Sequence, residues 1–193
     1  MKKVSFVIPC YRSANTIGVV VDEIRDTMPT LPEYDYEIIL VNDCSPDNTL
    51  DVISALARSD SRITAVDLAK NFGQHAALMS GISHSTGDFV VCLDDDGQTP
   101  ANEVGKLLAR LEQDDCDVAM ASYEHKQHSA FRNFGTKLNN RMTEIMLGKP
   151  RDLSMTSYFA IKRFIVDEML KYKNCFPYLD GLILRCTRRI RTV

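Results

Sequence analysis

Val90-Val91-Cys92-Leu93-Asp94-Asp95-Asp96-Gly97-Gln98-Thr99-Pro100 is the stretch on which the reading of this chain turns. Its apolar start, taken back to Asp88, has the length and β-branching of a strand buried on both faces. Three consecutive aspartates directly after that strand would repel one another at the edge of a low-dielectric core. A divalent cation removes the conflict. In an extended segment residues i and i+2 point the same way, so Asp94 and Asp96 are expected side by side. Two hard oxygen donors on one side suit Mg2+ or Mn2+, with phosphate oxygens and water completing the shell. A solvated acidic turn has the same composition; the setting between a buried strand and a helix start favours the metal.

Outward from this stretch the chain alternates between strand and helix patterns. Upstream, Val4 to Pro9, Glu37 to Val41 and Ile63 to Leu68 read as three further strands. Between them, Ile17, Val20, Val21, Ile24 and Met28 recur at helical spacing, as do Leu50, Ile53 and Leu56. Gly73 to Ser83 reads as a compact, alanine-containing helix leading back to the central stretch. Ser45-Pro46 and Thr99-Pro100 each look like a helix cap followed by proline at the first helical position. Downstream, Val104, Leu107, Leu108 and Leu111 form a helix stripe, and Asp117 to Ser122 a fifth strand. Strands alternating with helices imply βαβ units: an α/β fold with a doubly wound, mostly parallel sheet and a Rossmann-like half.

The rhythm breaks after Tyr123. Residues 1–123, with the acidic stretch, read as one half of the domain, and 124–193 as a helical region of the same domain. In that second part Phe131, Phe134, Leu138, Met142, Ile145 and Met146 line one side of a long helix, with Arg132 and Lys137 among its polar positions. A short extended piece, Ser157 to Ile161, and two helical patterns complete the chain. Arg185, Arg188, Arg189 and Arg191 form the one concentrated basic run, a candidate for anionic lipid headgroups or a solvated helix end.

In open α/β sheets ligands gather beyond the carboxyl ends of the strands. Three such ends carry the polar residues here: Pro9-Cys10-Tyr11, Asn42-Asp43-Cys44-Ser45 and Asp94-Asp95-Asp96. Asp43 can accept hydrogen bonds from a base or ribose, or cap a helix; Tyr11 can stack on a base or simply fill a loop. His75 and His84 have no partner at metal-ligand spacing and are assigned to structure.

Composition narrows the classes. With 193 residues, 45% hydrophobic and 25% charged, the chain has the makings of one soluble globular domain. A net charge of −3 argues against nucleic acid as a main partner. The six scattered cysteines, with no CxxC pair, suit reduced and mostly buried thiols in a reducing compartment. No signal peptide is visible at the start, and no run approaches the roughly 20 apolar residues that span a bilayer.

Four segments together resemble the inverting glycosyltransferase family 2 in order and spacing: Ile8–Tyr11, Val41–Asp47, Asn71–His75 and Leu93–Pro100. The similarity runs from about residue 3 to 171, firmest to Leu111, and is strongest toward the polyprenyl-phosphate branch, which glycosylates dolichyl or undecaprenyl phosphate. It implies the GT-A fold, a UDP- or GDP-sugar donor, and inversion at the anomeric carbon. By the resemblance Pro9, Tyr11, Asp43, Asn71, Gln74 and Asp95 hold the nucleotide, and Asp94, Asp96 and Gln98 hold Mg2+ or Mn2+. Arg132 and Lys137 fall where the family receives the acceptor phosphate. Asp94, Asp96, Arg132 and Asp152 form the catalytic set, Asp152 as the base if the acceptor is a saccharide hydroxyl. Three positions depart from the family pattern: Asn42 for a usual aspartate, Asp95 for a small residue, and no arginine near Phe159-Ala160. The resemblance also implies a cytoplasmic protein at the inner face of the membrane, longer than this chain, with a homo-oligomer as one option for its assembly.

Other readings are a nucleotidyltransferase, a silent nucleotide-sugar-binding module and a receiver domain. The first needs a glycine-rich basic loop where residues 9–18 offer only Arg12 and Gly18. The third needs a lysine at a late strand end, where Ala121-Ser122 stands.

Overall fold

The computed structural model describes residues 1–122, 153 and 155–193. Along the chain run β1 (Lys2–Cys10), α1 (Ile17–Thr27), β2 (Tyr34–Asn42), α2 (Thr49–Ser59), β3 (Ile63–Asp67), α3 (Gln74–His84) and β4 (Phe89–Cys92). Then follow α4 (Val104–Leu111), β5 (Val118–Met120), β6 (Phe159–Lys162), α5 (Arg163–Met169), α6 (Leu179–Cys186) and β7 (Ile190–Thr192), with single 3-10 turns at Met28–Thr30 and Ala101–Glu103. The seven strands make one sheet in the order β3-β2-β1-β4-β6-β5-β7. Six strands run in one direction; β6 opposes its neighbours β4 and β5.

Side-chain alternation sorts the core into two layers. Val4, Phe6 and Ile8 of β1 turn toward Ile17, Val20, Val21 and Ile24 of α1 and Leu107, Leu108 and Leu111 of α4. Val7 of β1 and Ile39 and Val41 of β2 turn the other way, onto Ala77, Leu78 and Ile82 of α3 and onto α5 and α6. Each such aliphatic side chain contributes roughly 1.5–3 kcal/mol when fully buried. α3 lies especially close to the sheet: a Cβ on Gly81 would meet Val7 Cγ1 at 2.4 Å and Val41 Cγ2 at 2.9 Å. Glycine is what lets this helix reach the sheet and hold its first turn over the strand ends.

Both expected proline caps shift. α2 starts at Thr49, with Asn48 at its cap position, not at Ser45-Pro46. Cys44 takes a left-handed φ of 50°, and the Ser45 hydroxyl accepts from Arg12 N and donates to Asp47. Asp47 in turn accepts from Thr49 N and Thr49 Oγ1, and the helix begins at Thr49, later than Pro46 suggests. Likewise Pro100 precedes a 3-10 turn, and α4 begins only at Val104.

Among its described residues the second part of the chain contributes strands as well as helices. Ser157 to Ile161 leads into a central strand, and the residues after α6 add β7 at the sheet edge. The expected helix carrying Arg132 and Lys137, together with Asp152, lies outside the described residues. The basic run is broken up too: Arg189 Nε pairs with the buried Asp117 Oδ2 at 2.9 Å and Arg191 Nε with Asp115 Oδ2 at 3.2 Å. Among the six cysteines Cys10, Cys92 and Cys116 are buried, Cys186 half-buried, and Cys44 and Cys175 exposed, all as free thiols. Burial pushes the Cys10 and Cys92 thiols well above their ordinary range.

Candidate nucleotide and metal site

β1 is flanked by β2 on one side and β4 on the other, with Cys10 opposite Asn42 and Val7 opposite Cys92. This is the switch point of the sheet, where chains on either side depart in opposite directions and leave a crevice. A cleft of about 360 Å³ opens there, lined by Pro9, Cys10, Tyr11, Asp43, Asn71, Gly73, Gln74, Asp94, Asp95 and Asp96. The structure therefore brings together every residue assigned to the nucleotide and both aspartates assigned to the metal. Gln98 is exposed two residues further on, and its backbone N–H bonds Asp96 Oδ1 at 2.9 Å.

The acidic stretch is not straight. It bends after Asp94, and Gly97 takes a φ of +70°. Asp95 swings toward the loop after β1, accepting from Tyr11 N at 3.0 Å and from the Ser13 hydroxyl. Its inserted charge thus braces the loop that carries Tyr11. Asp94 accepts from Gln74 Nε2 at 3.0 Å through one oxygen and from the Ser157 hydroxyl through the other. Burial first, then the charges of Asp96 and Asp95, hold the Asp94 pKa above its ordinary value, against the opposing pull of these two hydrogen bonds. Neutral donors serve Asp94 and Asp95, so like-charge repulsion persists at the cleft.

Asp43 lines the cleft and also has partners within the chain. It is buried, and its two oxygens accept from Phe72 N at 2.7 Å and Gly73 N at 2.9 Å. The carboxylate pins the start of α3 against the end of β2 and so fixes Asn71 and Gln74 at the rim. Asn42, the departure from the family pattern, bonds Asp67 Oδ1 at 2.8 Å and accepts from Ser45 N, tying β2 to β3. Arg12 and Cys44, the two non-glycine residues with left-handed φ among those described, both sit at this rim. Such backbone costs on the order of 1 kcal/mol each and gathers at ligand sites. Tyr11 is 45% exposed with Arg12 over its ring, and Phe72 is 50% exposed with Lys70 over its own. Tyr11 lines the cleft, and Phe72 stands in the chain between two of its lining residues, Asn71 and Gly73.

Ser157 is the site residue that sequence reasoning missed. It sits just ahead of β6, and only the antiparallel insertion of that strand beside β4 carries its hydroxyl to Asp94. Among the described residues no group of three His, Cys, Asp or Glu side chains forms a ready-made metal set.

A seven-stranded, two-layered α/β sheet with a carboxylate-rimmed cleft at its switch point defines the GT-A class of fold. The chain belongs to glycosyl transferase family 2, whose model matches residues 5–170. It is 34% identical over 194 residues to undecaprenyl-phosphate 4-deoxy-4-formamido-L-arabinose transferase of Yersinia enterocolitica, an alignment covering 98% of this chain and 59% of that protein. The chain thus spans little more than half the length of that relative. Among solved structures, S. aureus TarS in complex with UDP matches with a TM-score of 0.70 at 16% identity, over 99% of this chain and 57% of that one. The mannosyltransferase PcManGT from Pyrobaculum calidifontis, in complex with GDP-Man and Mn2+, matches at 0.63 and 21%, over 86% and 46%.

Proposed function

We propose that this chain is the donor-binding and catalytic part of an inverting glycosyltransferase that moves a sugar from a nucleotide-sugar to a polyprenyl phosphate. The observation that carries the reading is the meeting of Asp94, Asp96, Tyr11, Asp43, Asn71 and Gln74 in one cleft. The Yersinia relative's name supplies the acceptor class, undecaprenyl phosphate. UDP and GDP-Man in the two structural neighbours leave both bases open as donors.

The residues present fit a hard divalent cation. The donors are all oxygens, and two carboxylates without a ready-made third partner leave room for donor phosphates as ligands. Asp94 and Asp96, with Gln98, would hold Mg2+ or Mn2+; the Mn2+ in the PcManGT complex supports a divalent ion. Once bound, the ion supplies positive charge next to the leaving diphosphate.

The protein's own tasks are binding and alignment. Tyr11 offers a face for the base, and Asp43 keeps the Asn71–Gln74 turn in place against it. Gln74 and Ser157 fix the direction of the Asp94 carboxylate. An acceptor phosphate oxygen attacks the anomeric carbon as the bond from that carbon to the diphosphate oxygen breaks, inverting the centre. A phosphate monoester has a second pKa of about 6, so its oxygen arrives ionised and needs no general base. Arg132 and Lys137 are the groups we assign to steady it, in the acceptor-side part of the chain after residue 123. A saccharide hydroxyl as acceptor would instead call for a carboxylate base, the role kept for Asp152.

The test is a transfer assay with UDP- and GDP-sugars, Mn2+ and a polyprenyl phosphate, following nucleoside diphosphate release and glycolipid formation. One base should support transfer. Tight donor binding by calorimetry without any turnover would instead mark a binding module. Transfer to a saccharide but to no lipid phosphate would replace the acceptor.

A further inference from the structure

We propose that the turn joining α5 to α6, residues 170–178, is a docking surface for an anionic lipid bilayer that sets the mouth of the acidic cleft against the headgroup layer. The inference deepens the lipid-phosphate reading of the acceptor.

Topology puts this turn on the right rim. β6 runs from the site end, where Phe159 lies opposite Cys92, to the far end, where Lys162 lies opposite Phe89. α5 therefore departs from the amino rim, where Arg163 N bonds Asp88 O at 2.9 Å and Arg163 Nε bonds Gly87 O at 2.7 Å. It travels back to the carboxyl rim, and α6 descends again to feed β7, whose Ile190 lies opposite Val118 at the start of β5. The turn between them stands beside the cleft. The Tyr178 ring meets the His75 ring edge-on at 5.4 Å, and His75 adjoins Gln74, the donor to Asp94.

The chemistry of the turn is that of a headgroup boundary. Its sequence is Leu170-Lys171-Tyr172-Lys173-Asn174-Cys175-Phe176-Pro177-Tyr178, with two lysines and no acid, in a chain of net charge −3. Phe176 is 89% exposed, more than any other large apolar side chain among the described residues, and Tyr178 is 41% exposed. The Tyr172 hydroxyl donates to Phe176 O at 3.0 Å, closing the turn and holding the phenyl ring outward. Beside it a cleft of about 600 Å³ is lined in part by Lys171, Lys173, Asn174 and Arg185, with Glu168 as its one acid. An aromatic flanked by lysines inserts its ring at the acyl boundary while the cations meet lipid phosphates. The basic side chains of the turn offset the repulsion that the acids at the cleft mouth would feel from the same anionic surface. Lys171 shares its charge with Glu168 in an exposed ion pair, so Lys173 and Arg185 carry the larger share of the patch, as Arg189 and Arg191 are ion-paired too.

Flotation of the purified chain with phosphatidylglycerol or phosphatidylcholine vesicles, without donor or acceptor, tests this. Binding is expected on the anionic vesicles alone. Phe176→Ser should lower the partition about tenfold, for loss of an inserted aromatic, and Lys173→Ser about fivefold, for one cation near the surface. Val19→Ser, at a residue 66% exposed on α1, should change nothing. Equal binding to both vesicles, no binding, or equal loss in the Val19 variant would overturn the proposal. So would a Phe176 variant that alters only self-association in sedimentation, since that marks an interface between copies. Transfer to a short-chain, water-soluble polyprenyl phosphate, run without vesicles, reads the acceptor separately. Transfer without vesicle binding sinks the docking surface alone; vesicle binding without transfer to any lipid phosphate sinks the acceptor reading alone.

Discussion

The two rims of the sheet treat their carboxylates in opposite ways. At the amino rim Glu37 of β2 receives Lys3 Nζ at 2.6 Å, Ser5 Oγ at 2.7 Å and the Thr86 N–H at 2.7 Å. Burial alone would raise its pKa, but these donors outweigh burial and bring it down to about 2. At the carboxyl rim Asp94 has only neutral donors, and burial plus two neighbouring aspartates push it up. Both acids adjoin the same buried strands, so the difference lies in what surrounds them. Glu37 is met by a cation of the chain and serves the fold; Asp94 is left with its repulsion, which a bound cation would relieve under the function we propose.

The sharpest way to break this contrast is to neutralise the carboxyl rim. Asp96→Asn or Asp94→Asn removes one of the two hard charges while keeping the shape of the side chain. Glycosyl transfer should fall by about 10³-fold or more, the scale of losing electrostatic stabilisation of a leaving group. The thermal midpoint in metal-free buffer should stay the same or rise, because repulsion is relieved. Undiminished transfer by the Asp96 variant in ample Mn2+ would end the catalytic assignment. A sharp drop in the midpoint would show that these acids serve the fold after all.

The opposite outcome is expected at the amino rim. Glu37→Ala strands Lys3, Ser5 and Thr86 and should lower the unfolding free energy by about 2–3 kcal/mol in denaturant titration. Nucleotide affinity measured by calorimetry should move less than twofold. The same group predicts a pH dependence. Its folded pKa of about 2 lies below the ordinary 4.5, so its stabilisation is complete above that value and is lost as pH falls toward 2. Over that window the loss should be on the order of 2 kcal/mol, after allowing for the part-exposed Lys3. Glu37→Gln should flatten that part of the curve. An unchanged acid limb in the variant would assign the acid lability to other carboxylates.

What was legible in the sequence was whatever depends on neighbours along the chain. The alternation of buried strands and amphipathic helices from Val4 to Leu111 set out the parallel half of the sheet. The acids and the one aromatic, Tyr11, at three strand ends pointed to one crevice, and the cleft holds them all. Non-local pairing was not legible. The four residues of β6 are too short to show a period, and nothing in them says that they run backwards between β4 and β5. Local chemistry also misled where tertiary partners intervened: Ser45-Pro46 reads as a cap, yet Arg12 N and Asp47 claim the serine. The basic run at the end of the chain reads as a patch, yet Asp115 and Asp117 draw two of its arginines into ion pairs.

Ser157 is where that illegibility touches function, and it gives the finest test of the contrast between the rims. Its hydroxyl reaches Asp94 only because β6 is inserted, so it couples the second part of the chain to the acidic stretch of the first. If it serves to aim the carboxylate, Ser157→Ala should weaken the apparent Mn2+ affinity about tenfold, the lower end for partners that orient a metal ligand. That affinity can be read from Mn2+-dependent thermal shifts with nucleoside diphosphate present, independently of turnover. Stability without metal should change by less than about 1 kcal/mol, since a single half-buried hydrogen bond is lost. Ser157→Thr keeps the hydroxyl and should restore most of the affinity. A loss of stability equal in the alanine and threonine variants, with Mn2+ affinity intact, would move Ser157 from the site to the packing of β6.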